Sequence, residues 1–297
     1  MLSRMARIAI IGGGSIGEAL LAGLLRAGRQ TKDLVVAEKN PSRGTYLADK
    51  YAVRIASVAE AVDSATYVIV AVKPGDVGSV IGDIVDTAAR ADSEADEQIF
   101  VTVAAGVSAA YFENKLPAGS PVVRVMPNAP MLVGGGVSAV APGRFATAEH
   151  VRGVSALFDA VGGVLTVAES QIDTVTAVSG SGPAYFFLMV EALVDAAVEA
   201  GLTRSVATDL VVQTMAGSAA MLLERLDADG SEAAGPSGAM ASPTDTSAAQ
   251  LRATVTSPGG TTAAGLRELE RGGLRAAVAN AVEAAKNRSE QLGITPE

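Results

Sequence analysis

Hydrophobic positions in the first half of the chain come as short, nearly continuous runs at 8–11, 34–37, 67–72, 99–103 and 122–126, most of them stopped by glycine or proline. Runs without polar alternation mark strands buried on both faces. Residues 18–27 and 42–51 read as helices, and 53–55 as one more short strand. Strands that alternate with helices predict a mostly parallel sheet with helices on both sides. In such sheets ligands gather at the carboxyl ends of the strands, so residues 12–17, 71–74, 104–106 and 127–128 are expected to converge on one crevice.

Beyond residue 168 the pattern changes and no strand is predicted. Helical patterns run over 172–178, 183–200, 205–226 and 274–291, which divides the chain into 1–168 and an all-α domain over 169–297. Residues 227–250 are rich in Ala, Gly, Ser, Asp and Pro, almost lack bulky apolar side chains, and are expected to form a mobile loop. The helices carry more Ala, Val and Leu than one copy can cover, which predicts a homodimer built through this domain. The most apolar of them, 183–200, places Glu191, Asp195 and Glu199 on one face at intervals of four, so it is expected to be amphipathic, with no membrane as partner. The first seven residues lack the apolar core of a signal peptide.

Glycine sharpens the first unit. Gly12, Gly14 and Gly17 follow the run 8–11 and open a helix, and the next strand ends in the carboxylate Glu38. That order belongs to a β-α-β unit that binds a dinucleotide. Gly12 permits the tight turn, Gly14 the approach of a pyrophosphate, and Gly17 close packing of helix on strand, while N–H groups at the helix start, from Ser15 to Gly17, face the phosphates. The expected fold class is α/β: a Rossmann-type, mostly parallel sheet domain followed by an all-α C-terminal dimerisation domain.

Composition narrows the function. The chain has 297 residues, 49% of them hydrophobic, enough for a sizeable core and two domains. Its net charge of −9 disfavours nucleic acid as a partner, because that needs a basic face. There is no cysteine, hence no disulfide, thiol nucleophile or thiolate metal site, which fits a cytoplasmic protein. No His, Asp and Glu cluster has metal-ligand spacing, so no metal is expected.

The inventory of bases is short. His150, the only histidine, lies in the polar stretch 146–152 and reads as a solvated surface residue. No lysine occurs between Lys115 and Lys286, so the helical domain offers no lysine base. Tyr46 and Lys50 match a Tyr-x-x-x-Lys pair, but their place just after the second strand makes them the surface of a helix. Two glycine-hydroxyl turns stand out, Ser179-Gly180-Ser181-Gly182-Pro183 and Thr256-Ser257-Pro258-Gly259-Gly260-Thr261-Thr262. In the second, Thr261 or Thr262 is expected to cap the following helix while nearby N–H groups point at a small carboxylate. A hydride acceptor that needs no protein base suits this inventory. A C=N bond qualifies, since its nitrogen carries its own proton and needs mainly orientation.

These stretches, with Ala71-Val72-Lys73-Pro74 and Arg124-Val125-Met126-Pro127-Asn128, resemble the pyrroline-5-carboxylate reductase family in its own order and over nearly the whole chain. The resemblance implies reduction of 1-pyrroline-5-carboxylate to L-proline by NADPH or NADH, as the last step of proline biosynthesis. It implies a hydrogen bond from Thr262 to the ring nitrogen. Gly260, Thr261 and Thr262 with Ser257 would hold the carboxylate, and Glu169 would border the substrate pocket. Cofactor contacts would come from Gly12, Gly14, Ser15, Ile16 and Gly17, from Ala71, Val72, Lys73 and Pro74, and from Ala104 and Ala105. It also implies a homodimer with interlocked helical domains, assembling to a decamer. Three features depart from the family pattern. Glu38 favours a free ribose hydroxyl, while Lys39, Asn40 and Arg43 beside it suit a 2′-phosphate. Val58 stands where some relatives have asparagine, and 227–250 is longer than the usual link. A reductase of another cyclic imine carboxylate, or a nucleotide sensor without turnover, remain as alternatives.

Overall fold

The computed structural model describes residues 7–63, 65–89, 97–233 and 247–293, without the side chains of 226–233 and 247. The first half runs β1 (Ile8–Ile11), α1 (Ser15–Arg26), β2 (Leu34–Ala37), α2 (Pro41–Tyr51), β3 (Arg54–Ala56), α3 (Val58–Val62), β4 (Tyr67–Val70), α4 (Val77–Ala88), β5 (Ile99–Thr102), α5 (Ala109–Glu113) and β6 (Val122–Met126). Then follow β7 (Gly136–Pro142), α6 (Ala148–Phe158), β8 (Gly162–Thr166), α7 (Ile172–Val175), α8 (Gly182–Glu199), α9 (Arg204–Ala233), α10 (Ser247–Thr254), α11 (Thr261–Arg271) and α12 (Leu274–Leu292).

The strands form one eight-stranded sheet in the order β3-β2-β1-β4-β5-β6-β7-β8. All neighbours are parallel except β6 and β7, which pair antiparallel with Val125 opposite Val140. β7 and β8 are additions to the predicted sheet, and both open on glycine. Successive residues of a strand face opposite sides. Thus Ile8, Ile10, Val36 and Ile69 pack into one core with Leu20, Leu21 and Leu24 of α1, and Ala9, Ile11, Val35 and Val68 into another with Ile81 and Ile84 of α4. Burial on both faces is the reason these strands read as unbroken apolar runs. Each fully buried Ile or Leu is worth about 1.5–3 kcal/mol of transfer free energy.

The chain falls into two compact units, Met1–Pro183 with Val282–Glu297, and Ala184–Ala281. The second is helical and leaves Phe186, Phe187 and Leu188 of α8 and Leu210 of α9 exposed. Glu169–Glu199 and Arg204–Arg225 are long and apolar enough to cross a membrane by length and composition, with 17% and 6% of those windows buried in the chain.

Part of the stretch expected as a loop is helical. Residues 227–233 continue α9 and 247–250 open α10, and between these helices Arg225 Nη1 donates to Gln250 Oε1 at 3.2 Å. The remainder, 234–246, lies outside the described residues.

Candidate active site

In the sheet order β2-β1-β4, the connection reverses direction on either side of β1, and crevices for nucleotides form at such a switch point. Here a crevice of about 620 Å³ is lined by Gly12 and Gly14, by Glu38 and Lys39 after β2, and by Ala71, Val72 and Lys73 after β4. Gly12 has φ +106°, and a Cβ there would lie 2.6 Å from the Ala71 carbonyl oxygen. A Cβ on Gly17 would overlap the carbonyl of Gly12, whereas one on Gly14 meets nothing within 4 Å. Gly14 is the N-cap of α1, and no side chain caps that helix. The first-turn N–H groups of Ser15, Ile16 and Gly17 therefore keep the partial positive charge that attracts a phosphate. These features fit a dinucleotide's pyrophosphate.

Glu38 closes the side of the turn. Its Oε2 accepts the Gly13 N–H and its Oε1 the Asn40 N–H, each at 2.8 Å. Asn40 in turn caps α2 by accepting the N–H groups of Ser42 and Arg43. Arg43 folds inward: its Nε donates to the Gly13 carbonyl at 2.7 Å, and its guanidinium pairs with Glu18. Lys39 instead crosses to Asp76, with Nζ 2.8 Å from Oδ1.

Glu18 is the hub that joins α1 to α2. It accepts hydrogen bonds from Lys50 Nζ at 3.0 Å and the Tyr51 hydroxyl at 2.8 Å, in addition to Arg43. Burial raises its pKa, but the hydrogen bonds from Lys50, Tyr51 and Arg43 outweigh that and bring it from 4.5 down to about 2. Lys50 also donates to the Tyr46 hydroxyl at 2.7 Å, and its bonds to Tyr46 and Glu18 hold the ammonium above its ordinary range. The Tyr46-Lys50 pair thus belongs to a surface network.

Val58 lines the crevice as well, and the remaining expected segments, 104–106 and 127–128, follow β5 and β6, the next strands beyond β4 in the sheet. Ala104 is buried and its N–H donates to Thr102 Oγ1. Asn128 is also buried: its Nδ2 donates to the Ser179 carbonyl at 3.2 Å, and its Oδ1 accepts the Val137 N–H at 2.8 Å. Glu169 ties α5 to β6, accepting the Ala109 N–H at 2.7 Å with Arg124 Nη1 at 3.4 Å.

The second unit carries its own turn. The Gly260 N–H donates to the Ser257 carbonyl at 3.1 Å, and Gly259 has φ +70°. Proline followed by a residue with positive φ makes this a type II turn. The N-cap of α11 is Gly260, not either threonine, because Thr261 and Thr262 already lie within the helix. No side chain caps α11, and Ser257, Thr261 and Thr262 are exposed.

A family profile described as pyrroline-5-carboxylate reductase dimerisation matches residues 169–292. A second, described as NADP oxidoreductase coenzyme F420-dependent, matches residues 7–106. A pyrroline-5-carboxylate reductase of Mycobacterium tuberculosis is 68% identical over 297 residues, the whole of both chains. The chain belongs to the pyrroline-5-carboxylate reductase family. Solved structures agree: a pyrroline-5-carboxylate reductase from Coxiella burnetii has a TM-score of 0.85 at 32% identity, covering 98% of this chain and 100% of its own. The Plasmodium falciparum pyrroline carboxylate reductase with NADP bound has a TM-score of 0.78 at 28% identity, covering 99% and 100%. As a pyrroline-5-carboxylate reductase family member, the chain is an NAD(P)H-dependent oxidoreductase with a role in proline biosynthesis, and its helical region is an oligomerisation domain.

Two further expectations are corrected. His150 is 9% exposed, so it is buried rather than solvated. Its Nδ1 accepts the Thr147 N–H at 3.2 Å and its Nε2 lies 3.3 Å from Glu97, so it completes a capping box for α6. The turn at 179–183 is not an open helix start. Residues Thr176–Gly180 form a π-helical turn leading into α8, and the Ser181 N–H is satisfied by the Thr176 carbonyl at 2.8 Å. Among the described residues no group of three His, Cys, Asp or Glu could hold a metal ion. Sequence reasoning missed Asp76 and Glu18, whose partners lie 37 and 25 to 33 residues away.

Proposed function

We propose that this chain reduces 1-pyrroline-5-carboxylate to L-proline in the cytoplasm. The observation that carries the reading is the full-length identity of 68% to a pyrroline-5-carboxylate reductase, which spans both uncapped glycine turns. The Gly12–Gly17 turn takes the pyrophosphate on the N–H groups that open α1, with Ala71, Val72, Lys73 and Pro74 on the far wall. Glu38, Lys39, Asn40 and Arg43 surround the adenosine ribose, and Ala104 and Ala105 complete the cofactor contacts.

Bound there, a reduced nicotinamide supplies a hydride to the imine carbon. The chain's own residues bind and orient. The N–H groups of Gly260, Thr261 and Thr262 with the Ser257 hydroxyl hold the substrate carboxylate at the start of α11, where the helix dipole favours an anion. The Thr262 hydroxyl hydrogen-bonds the ring nitrogen and fixes the C=N plane. That nitrogen arrives protonated and leaves as the amine, so no protein base is needed at the reacting carbon. Glu169 borders the pocket while anchoring Ala109 and Arg124. The functional boundary lies at 168, between a dinucleotide-binding domain and a substrate-binding, dimerisation domain. Homodimers assemble to a decamer.

The test is oxidation of NADH or NADPH by the purified protein, followed at 340 nm and dependent on added pyrroline carboxylate, with L-proline as product. Turnover without proline formation overturns the reading.

A further inference from the structure

The Lys39–Asp76 ion pair spans the rim of the cofactor crevice. Lys39 follows β2 and Asp76 ends the short 3-10 turn Pro74–Asp76 after β4. β1 lies between β2 and β4 in the sheet, so the bridge passes across the glycine turn that leaves β1. Both side chains line the crevice, where the cations are Lys39 and Lys73 and the carboxylates Glu38, Asp76 and Asp83. Arg43, the other cation near Glu38, is committed to Glu18 and to the Gly13 carbonyl.

NADPH differs from NADH by a 2′-phosphate, which carries a charge of about −1.5 to −2 and needs a cation beside it. With Arg43 held, Lys39 is the crevice cation that directly follows Glu38 in the chain. A 2′-phosphate that pairs with Lys39 draws it away from Asp76, while NADH makes no such demand. We propose that Asp76 is a specificity-determining residue which tunes the choice between NADPH and NADH by tethering Lys39. The pair is exposed, 79% at Lys39 and 40% at Asp76. Exposed pairs are weak and screened by salt, so the tether acts by competition and not by exclusion. Asp76 is also the N-cap of α4 but makes no side-chain cap bond, so removing its charge leaves that helix its cap geometry.

This rests on the NAD(P)H-dependent reading, and binding without substrate separates the two. Calorimetry would give Kd for NADH and NADPH with the full-length wild type, Asp76→Asn, Asp76→Ser, Lys39→Gln and the Asp76→Asn, Lys39→Gln double variant. The expected result is a shift of the Kd ratio towards NADPH by about 3- to 10-fold in both Asp76 variants, and away from it in Lys39→Gln. In the Lys39→Gln background Asp76→Asn should no longer move the ratio. An unmoved ratio in the Asp76 variants, or the same shift without Lys39, overturns the proposal while the cofactor reading stands. A wild type that binds neither dinucleotide overturns both.

Discussion

The Glu38 carboxylate accepts the backbone N–H of Gly13, 25 residues earlier, at 2.8 Å, and so pins the end of β2 to the glycine turn beside it. One side chain therefore both shapes the turn and sets the charge where a ribose would bind. Replacing Glu38 with Ser removes that charge and the acceptor for two N–H groups. The ratio of kcat/KM for NADPH to that for NADH is expected to rise by about tenfold, equivalent to about 1.4 kcal/mol. An unchanged ratio would show that Glu38 does not read the ribose.

The two glycines flanking the start of α1 are predicted to fail differently. A Cβ on Gly17 overlaps the Gly12 carbonyl, so Gly17→Ala should lower stability by about 1–3 kcal/mol. A Cβ on Gly14 meets no protein atom within 4 Å. Gly14→Ala should keep the wild-type melting temperature yet bind NADPH at least about tenfold more weakly, because the methyl occupies the path of the pyrophosphate. Calorimetric unfolding and titration on the same samples separate the two effects. Equal loss of stability in both would remove the ligand from the explanation of Gly14.

Thr262 lies in the first turn of α11 with its side chain exposed. Thr262→Ala should lower kcat/KM by about 10- to 1000-fold, or about 1.4 to 4 kcal/mol of transition-state stabilisation. A rate equal to wild type takes the hydroxyl out of the mechanism.

Acid should reveal the Glu18 hub. Its folded-state pKa, about 2, lies below the ordinary 4.5 of a glutamate, so ionisation favours the folded state. The stabilisation is complete above about pH 4.5 and is lost as pH falls towards 2. Glu18→Gln should therefore be less stable than wild type at pH 7, by on the order of 1–3 kcal/mol, with the gap closing across that window. Denaturant unfolding at pH 7 and at pH 3 measures this, and a gap that does not change with pH assigns Glu18 a packing role alone.

The exposed apolar residues of α8 and α9 should be covered by further copies. Light scattering after size exclusion is expected to show a dimer or a multiple of it, up to ten chains. Phe187, 66% exposed, gives the control: Phe187→Asp should weaken assembly by placing a charge on the apolar face. A wild type that stays monomeric at micromolar concentration contradicts assembly through this domain.

What the amino-acid sequence determined by itself was whatever local chemistry dictates. The buried strands β1, β2 and β4 show as solid apolar runs, and β5 and β6 as apolar runs with one buried polar residue each, Thr102 and Arg124, because they are covered on both faces. Gly12 and Gly17 are legible because a positive φ and a helix packed on a carbonyl admit no side chain. β7 and β8, which each open on glycine, lack so clear a run, and the reversal between β6 and β7 is a property of pairing. Tertiary structure alone decided which partners distant polar groups would find. Lys39 meets Asp76 across 37 residues, Tyr51 meets Glu18 across 33, and Asn128 reaches Ser179 across 51. His150, surrounded by polar neighbours in the chain, is buried beneath a cap of its own making. Such contacts follow no periodicity. They exist because the fold brings separate segments together, and at Asn128 because a buried polar group must find a partner.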